Sequence, residues 1–147
     1  MMMSVSMTGD YGIASFVSNK GEIEDVIVAD YSHEFISSDP LVGEIANAIE
    51  AECPGRVVDV NTVVYRSDGS IRTDLDIVLD DMIIQVKQGG GKGIVRQMME
   101  SQDYSGKTTI GFVTKPKKTI VNNAENQGYK IFADVDEMIE YIKNCKE

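Results

Sequence analysis

Hydrophobic positions recur with two different spacings along residues 41–143, and these spacings predict the secondary structure. Apolar side chains repeat every three or four positions in residues 41–52 and again after residue 93, which is typical of helices with one buried face. Short runs rich in Val, Ile and Thr, bounded by Gly, Asp or Pro, are typical of strands. In chain order the predicted elements are a helix at 41–52, a strand at 57–65, two strands within 72–87, a helix from 94 to about 105, a strand at 108–113, a helix opened by Pro116 and closed by Gly128, a strand at 129–132 and a final helix capped by Asp134 or Asp136.

The two strands within residues 72–87 are predicted to form a hairpin, because Asp80-Asp81 between them suits a tight turn. Strand side chains alternate between faces, so Asp74 and Asp76 share one face, and Gln85 and Lys87 share one face. A Lys on a strand otherwise built of Ile and Val is unusual, since buried Lys is rare unless paired. We therefore expect a carboxylate, an amide oxygen and an ammonium to meet at one end of the hairpin.

Composition indicates a soluble globular domain without a membrane span. The chain has 147 residues, with 42% hydrophobic and 26% charged side chains, which is enough for one domain with a real core. No signal peptide is visible, and Cys53 and Cys145 favour reduced thiols over a disulfide framework. We expect residues 1–40 to be an N-terminal extension containing a hairpin, residues 41–147 to be the functional domain, and its site of action to be cytoplasmic.

The charge is unevenly distributed. A net charge of −10 argues against a generic nucleic-acid binder. Residues 1–84 hold 16 acidic and 4 basic side chains, whereas residues 85–130 hold 3 acidic and 8 basic ones. The basic segment thus begins at the second hairpin strand. A single histidine, His33, excludes paired-histidine and multi-histidine zinc chemistry, so any hydrolysis rests on carboxylates, Lys and a hard divalent cation.

The residues Asp76 and Gln85-Val86-Lys87, together with the element order αβββαβ, resemble the PD-(D/E)XK nuclease superfamily, whose fold is restriction-endonuclease-like. That fold is an α/β architecture with a mixed central sheet flanked by helices. The run 84–93, then Gln97, then 109–113, is most similar to the C-terminal nuclease domains of contact-dependent and polymorphic bacterial toxins. One departure is that Gln85 stands where the family has a carboxylate.

The resemblance implies a Mg²⁺ site and a set of catalytic residues. Asp76 would be the central metal ligand, with the Gln85 side-chain oxygen and the Val86 backbone carbonyl beside it. Lys87 would orient or activate the attacking water. Many members add a Glu from the first helix, and Glu44 in Gly-Glu-Ile-Ala fits that element. A solvated first-turn acid is an equal interpretation of Glu44, and Asp74 is either an exposed strand acid or the stand-in for Asp76.

The glycine-rich residues 89–93 open a helix and can present backbone N–H groups to a substrate phosphate. They lack the spaced signature of a nucleotide-triphosphate loop. Lys92, Arg96 and Gln97 are the predicted substrate-binding residues, with a flexible turn bearing solvated charges as the alternative. A second basic cluster at residues 115–118 is by default a surface run, and a backbone contact otherwise.

The expected function is a metal-dependent nuclease, a toxin-type domain that cleaves tRNA or DNA, with tRNA favoured by the resemblance. Such toxins are delivered as part of a larger secreted protein and are inhibited by a bound immunity protein. Two alternatives remain. The Gln in the motif and the acidic net charge could mark a degenerate nuclease fold that binds protein or nucleic acid without cutting, or the domain could be a DNA-repair or junction-resolving nuclease.

Overall fold

Four helices and five strands lie within residues 34–145, the part of the chain that the computed structural model describes. The hairpin predicted within residues 1–40 lies outside these described residues. Residues from Ile36 onward form one unit. Its elements are α1 (Pro40–Glu52), β1 (Val57–Tyr65), β2 (Ile71–Leu79), β3 (Met82–Lys87), α2 (Ile94–Ser105), β4 (Thr108–Val113), α3 (Lys118–Asn126), β5 (Ile131–Phe132) and α4 (Val135–Cys145). The predicted order of helices and strands is confirmed.

One mixed sheet organises these elements, with the strands in the order β1-β2-β3-β4-β5. The first three strands form an antiparallel meander, and β3, β4 and β5 run parallel to one another. Parallel neighbours need crossover connections, and α2 and α3 supply them. The fold is therefore α/β, as predicted. The carboxyl ends of β3 and β4 meet at one edge of the sheet.

Local side-chain capping explains where two of the four described helices, α1 and α4, begin. Asp39 is the N-cap of α1 and accepts a hydrogen bond from the Leu41 N–H at 3.0 Å, with Pro40 at the first helical position. Asp134 accepts from the Glu137 N–H at 3.1 Å, so Asp134 rather than Asp136 caps α4.

The prediction that Pro116 opens α3 is wrong. Lys117 is the N-cap, in an extended conformation, and α3 begins at Lys118. The cause is a tertiary contact, because the Lys117 N–H donates to the Gly90 carbonyl at 3.1 Å and holds the chain extended there.

Close approach of α2 to β4 depends on a strand glycine. A Cβ on Gly111 would lie 2.9 Å from Ile94 Cδ1 and 3.1 Å from Met98 Sδ. Both of those side chains are fully buried, so the helix packs directly on the strand backbone. Within residues 34–145 no helix is both long and apolar enough to span a membrane.

Arg56, in the connection after α1, holds three parts of the domain together. Its Nε pairs with Asp80 at 3.1 Å, its Nη2 pairs with Asp81, and its Nη1 donates to the Ile142 carbonyl at 3.0 Å. The predicted Asp80-Asp81 turn is thus confirmed and is fixed by a planar guanidinium that reaches α4.

Candidate active site

Side chains, rather than backbone pairs, join β2 and β3 at their outer end. The backbone ladder pairs Ile77 with Ile84 and Val78 with Ile83. Beyond it, the Asp76 Oδ2 accepts from the Val86 N–H at 2.8 Å, and Gln85 Nε2 donates to the Asp74 carbonyl at 2.9 Å. Because these side-chain bonds replace the backbone ladder, β2 and β3 separate at this end, and the side chains of Asp76 and Gln85 lie between them.

On the other side of β2, the register places Asn61 opposite Asp76. Asn61 has φ of 53°, in the left-handed region that most residues avoid. Its Oδ1 accepts from Ser37 Oγ at 2.5 Å, and Ser37 Oγ accepts from the Asp39 N–H at 3.0 Å. A strained strand residue is therefore linked by hydrogen bonds to the start of α1, which brings the Asp39 carboxylate toward Asp76.

The environment of Asp76 favours its protonated form. Asp76 is 8% exposed, and burial is the main cause that raises its pKa from 3.8 to about 6. The Val86 N–H lowers this pKa, the nearby carboxylates Asp74 and Asp39 raise it, and the Lys87 ammonium lowers it. Asp76 thus lies among two further carboxylates and one ammonium that are close enough to act on its charge.

Lys87 is the last residue of β3 and is half-buried. It acts on Asp76 through space, but within residues 34–145 it makes no ion pair with a carboxylate. Asp76 and Lys87 are therefore near enough to interact electrostatically, and no ion pair joins them. An ammonium that has no salt-bridge partner remains able to bind an anion.

Gln85 has a buried oxygen without a hydrogen-bond partner. The side chain is 0% exposed, and its Nε2 donates to the Asp74 carbonyl and to Ser101 Oγ at 2.5 Å. A carbonyl only accepts, so the nitrogen must face Asp74 and the amide orientation is fixed. Among the described residues, Gln85 Oε1 has no hydrogen-bond donor. Buried polar atoms are normally paired, so this oxygen is suited to a cation or a donor from outside the protein.

Glu44 is the candidate site residue on α1. It lies exposed on α1 and is absent from the charges that shift the pKa of Asp76. Asp39, which sequence reasoning treated only as a helix cap, is among those charges. The position of Asp39, an acid at the start of the first helix, is a signal for a site residue. The Pro that follows it favours the interpretation as a helix cap.

A magnesium ion at this site would depend largely on water and substrate for its ligands. Within residues 34–145 no three His, Cys, Asp or Glu side chains cluster closely enough to hold a metal. Mg²⁺ binds through only one or two carboxylates and completes its shell with waters and substrate phosphates. The candidate oxygen donors for such an ion are the Asp76 carboxylate, the unpaired Gln85 Oε1 and the Val86 carbonyl.

The glycine loop, defined as residues 89–93, is packed against the lysine turn, defined as residues 114–118. Gly89, Gly91 and Gly93 have φ of 70°, 91° and 85°, which a side chain would disfavour. The Gly89 N–H donates to Thr114 Oγ1 at 2.8 Å, and the Lys115 N–H donates to the Gly89 carbonyl at 2.9 Å. The two segments therefore form one continuous surface at the carboxyl ends of β3 and β4.

The predicted substrate-binding residues are on and behind this surface. Lys92 and Arg96 are exposed, whereas Gln97 is half-buried, with an Oε1 that has no partner among the described residues. Arg96 also borders a groove of about 540 Å³ between α2 and α3, whose lining includes Met99, Ile120, Asn123 and Gln127.

Comparisons with known proteins gave no match to this chain, whether with protein-family models, with curated proteins or with solved structures. Its function must therefore be inferred from the site itself.

Proposed function

We propose that this protein is a metal-dependent nuclease of the PD-(D/E)XK type that cleaves tRNA or DNA. The observation that carries the proposal is the buried Asp76 carboxylate at the separation of β2 and β3, with the Lys87 ammonium acting on it through space. The αβββαβ order and the mixed sheet support a restriction-endonuclease-like fold, because that fold has the same order of elements. Asp76 on β2 and Lys87 on β3 stand on adjacent central strands, where that fold carries its acidic residue and its Lys.

Phosphodiester hydrolysis requires an activated water and stabilisation of the charge that develops on the phosphate. Asp76, Gln85 Oε1 and the Val86 carbonyl would hold Mg²⁺, which when bound supplies Lewis-acid polarisation of the phosphate and a more acidic water. Lys87, with no carboxylate partner within residues 34–145, orients the attacking water or stabilises phosphate charge. Asp39 and Asp74 add negative potential that attracts the cation.

A toxin-type role is the more specific form of this proposal. It rests on the likeness of residues 84–93, Gln97 and 109–113 to toxin nuclease domains, and it implies an immunity protein as partner and delivery from a larger secreted protein. A junction-resolving or repair nuclease would share the same site. Relative turnover on tRNA and on branched DNA separates the two roles.

A second candidate is a binding module without catalysis. It is favoured by Gln85, which is a neutral residue tied by two hydrogen bonds to Asp74 and Ser101. A magnesium titration followed by calorimetry separates this candidate from the nuclease, since absence of binding up to millimolar metal would favour the module.

The decisive experiment is cleavage of total tRNA and of plasmid DNA with Mg²⁺ by the wild type, Asp76→Ala and Lys87→Ala. Lys143→Ala is the matched control, because Lys143 lies on α4 and pairs with Glu52. Loss of cleavage in the two site variants alone, with circular dichroism unchanged, supports the proposal. Equal activity in all four proteins would place the activity elsewhere.

A further inference from the structure

Two basic segments that are far apart in the sequence become neighbours in the fold. The Lys117 N–H donates to the Gly90 carbonyl at 3.1 Å, and the Thr114 N–H donates to the Lys87 carbonyl at 3.2 Å. Because β3 and β4 are parallel neighbours, the glycine loop and the lysine turn leave the sheet at the same edge. The surface therefore begins at the catalytic candidate Lys87 and continues over both segments.

This surface has an excess of positive charge. Its basic side chains are Lys87, Lys92, Arg96, Lys115, Lys117 and Lys118, and within residues 34–145 none of them forms an ion pair. Neither α2 nor α3 has an acidic residue in its first turn. The two carboxylates of α2, Glu100 and Asp103, pair with Arg72 instead. The first turns of α2 and α3 therefore carry no acid that offsets this charge, and the carboxylates of Asp76, Asp74 and Asp39 act only at the Lys87 end of the surface.

Gly90 makes room for the side chain of Lys117. A Cβ at position 90 would lie 2.9 Å from Lys117 Cγ, 3.1 Å from its Cε and 3.2 Å from its Cδ. The aliphatic stem of Lys117 therefore lies flat across the loop backbone. Gly90 lies outside the left-handed region, in contrast to Gly89 and Gly91, so its lack of a side chain serves this contact rather than backbone conformation.

We propose that the glycine loop and the lysine turn form one surface, the basic saddle, that binds consecutive phosphates of a nucleic-acid backbone on one side of the scissile bond. This inference rests on the proposed function, because it takes Lys87 as the point where the reacting phosphate sits. Lysines bind phosphates as point charges without reading bases, so the saddle positions the strand and does not select its sequence. It also explains how a chain with net charge −10 holds a polyanion, since the contact is confined to one basic edge.

The test is binding of labelled tRNA and of a DNA duplex by fluorescence anisotropy, in EDTA so that no cleavage occurs, over a series of salt concentrations. The saddle variant is Lys115→Gln with Lys117→Gln. The control is Lys130→Gln with Lys143→Gln, which removes equal charge near α4, where Lys130 lies 5.6 Å from the Tyr141 ring. We expect the saddle variant to bind at least tenfold more weakly and the slope of log K against log salt to fall by roughly 1.5 to 2.

Gly90→Ala tests the geometry without a change of charge. Displacement of the Lys117 stem should weaken binding several-fold, and the effect should be absent when Lys117 is already Gln. Melting curves establish that each variant is folded, and if Gly90→Ala is not, the lysine variants decide alone.

Failure of the saddle and failure of the nuclease proposal give different results. Equal affinity and slope in the saddle and control variants would overturn the saddle, even if the wild type cleaves. Saddle-dependent binding without cleavage in Mg²⁺ would overturn the nuclease and leave the saddle intact. Absence of binding to either nucleic acid in EDTA would overturn the saddle, and the cleavage assay with Mg²⁺ would still decide the nuclease proposal.

Discussion

The Asp76 carboxylate accepts a hydrogen bond from the N–H of Val86, the residue that precedes Lys87 on the neighbouring strand. This bond fixes the distance between the acidic strand and the lysine strand at the point where their backbone ladder ends. It also partly offsets the burial that raises the Asp76 pKa. The same contact therefore positions both candidate catalytic groups and keeps the carboxylate ionisable near neutral pH.

Asp76→Asn should stabilise the fold at neutral pH. The folded protein holds the Asp76 proton more tightly than the unfolded chain, with a pKa of about 6 against 3.8. Protonated Asp76 therefore contributes its full stabilisation below pH 4. This stabilisation is lost as the pH rises through 6, and the free energy of unfolding falls by roughly 3 kcal/mol in all. Asn removes the buried charge and can still accept from Val86.

The measurement is urea unfolding of wild type and Asp76→Asn between pH 4 and 8. We expect the variant's advantage to be largest above pH 6 and to shrink toward pH 4. An advantage that does not depend on pH would show that Asp76 ionisation is not its cause.

Asp39→Asn should weaken magnesium-dependent activity, whereas Glu44→Gln should not. Asn caps a helix as well as Asp, so α1 keeps its start while the site loses one negative charge. Because Asp39 acts on Asp76 and Glu44 does not, we expect a loss of roughly 10- to 100-fold only in Asp39→Asn. Cleavage rates at several Mg²⁺ concentrations measure this, and equal loss in both variants would contradict it.

Gln85→Glu should destabilise the protein although it introduces the carboxylate of the proposed PD-(D/E)XK motif. Gln85 Nε2 makes two hydrogen bonds, and a carboxylate there would face the Asp74 carbonyl while being 0% exposed. We expect a loss of roughly 2 to 4 kcal/mol in the free energy of unfolding.

Ser101→Ala, which removes only one of the two partners, gives the comparison and should cost about 1 kcal/mol. Chemical denaturation at pH 7 measures both variants. A Gln85→Glu protein as stable as the wild type would mean that the amide is not required.

Gly111→Ala should destabilise by roughly 1 to 3 kcal/mol, because the added methyl would overlap Ile94 and Met98 of α2. Gly106→Ala is not a matched control, since its φ of 71° adds backbone strain. Ala46→Gly, at a buried helical position, is the comparison instead. It measures how much the free energy of unfolding falls when a methyl group is removed and a helix gains flexibility. Recovery of stability in Gly111→Ala with Met98→Ala would identify overpacking as the cause.

The order of elements was predictable because periodicity, turn residues and caps are local. The α/β class and the hairpin at Asp80-Asp81 follow from them. The composition of the site was less accessible. Asp39 is linked to it through Ser37 and Asn61, and the sequence does not reveal that link.

The contact between the glycine loop and the lysine turn could not be predicted from the sequence either. It depends on β3 and β4 lying parallel and adjacent after a helical crossover, and no short-range pattern encodes that pairing. The late start of α3 has the same origin, since a bond to Gly90 overrides the local preference of Pro116 for a helix start.

The contacts of Arg56 join parts of the domain that are synthesised at different times. Arg56 and its two carboxylate partners are made early, but the carbonyl that completes its guanidinium bonding belongs to Ile142, 86 positions later. A growing chain can therefore form the meander and its turn while part of the guanidinium still faces water. The bond to the Ile142 carbonyl can form only after α4 has left the ribosome, so the guanidinium gains its last partner late in the synthesis of this domain.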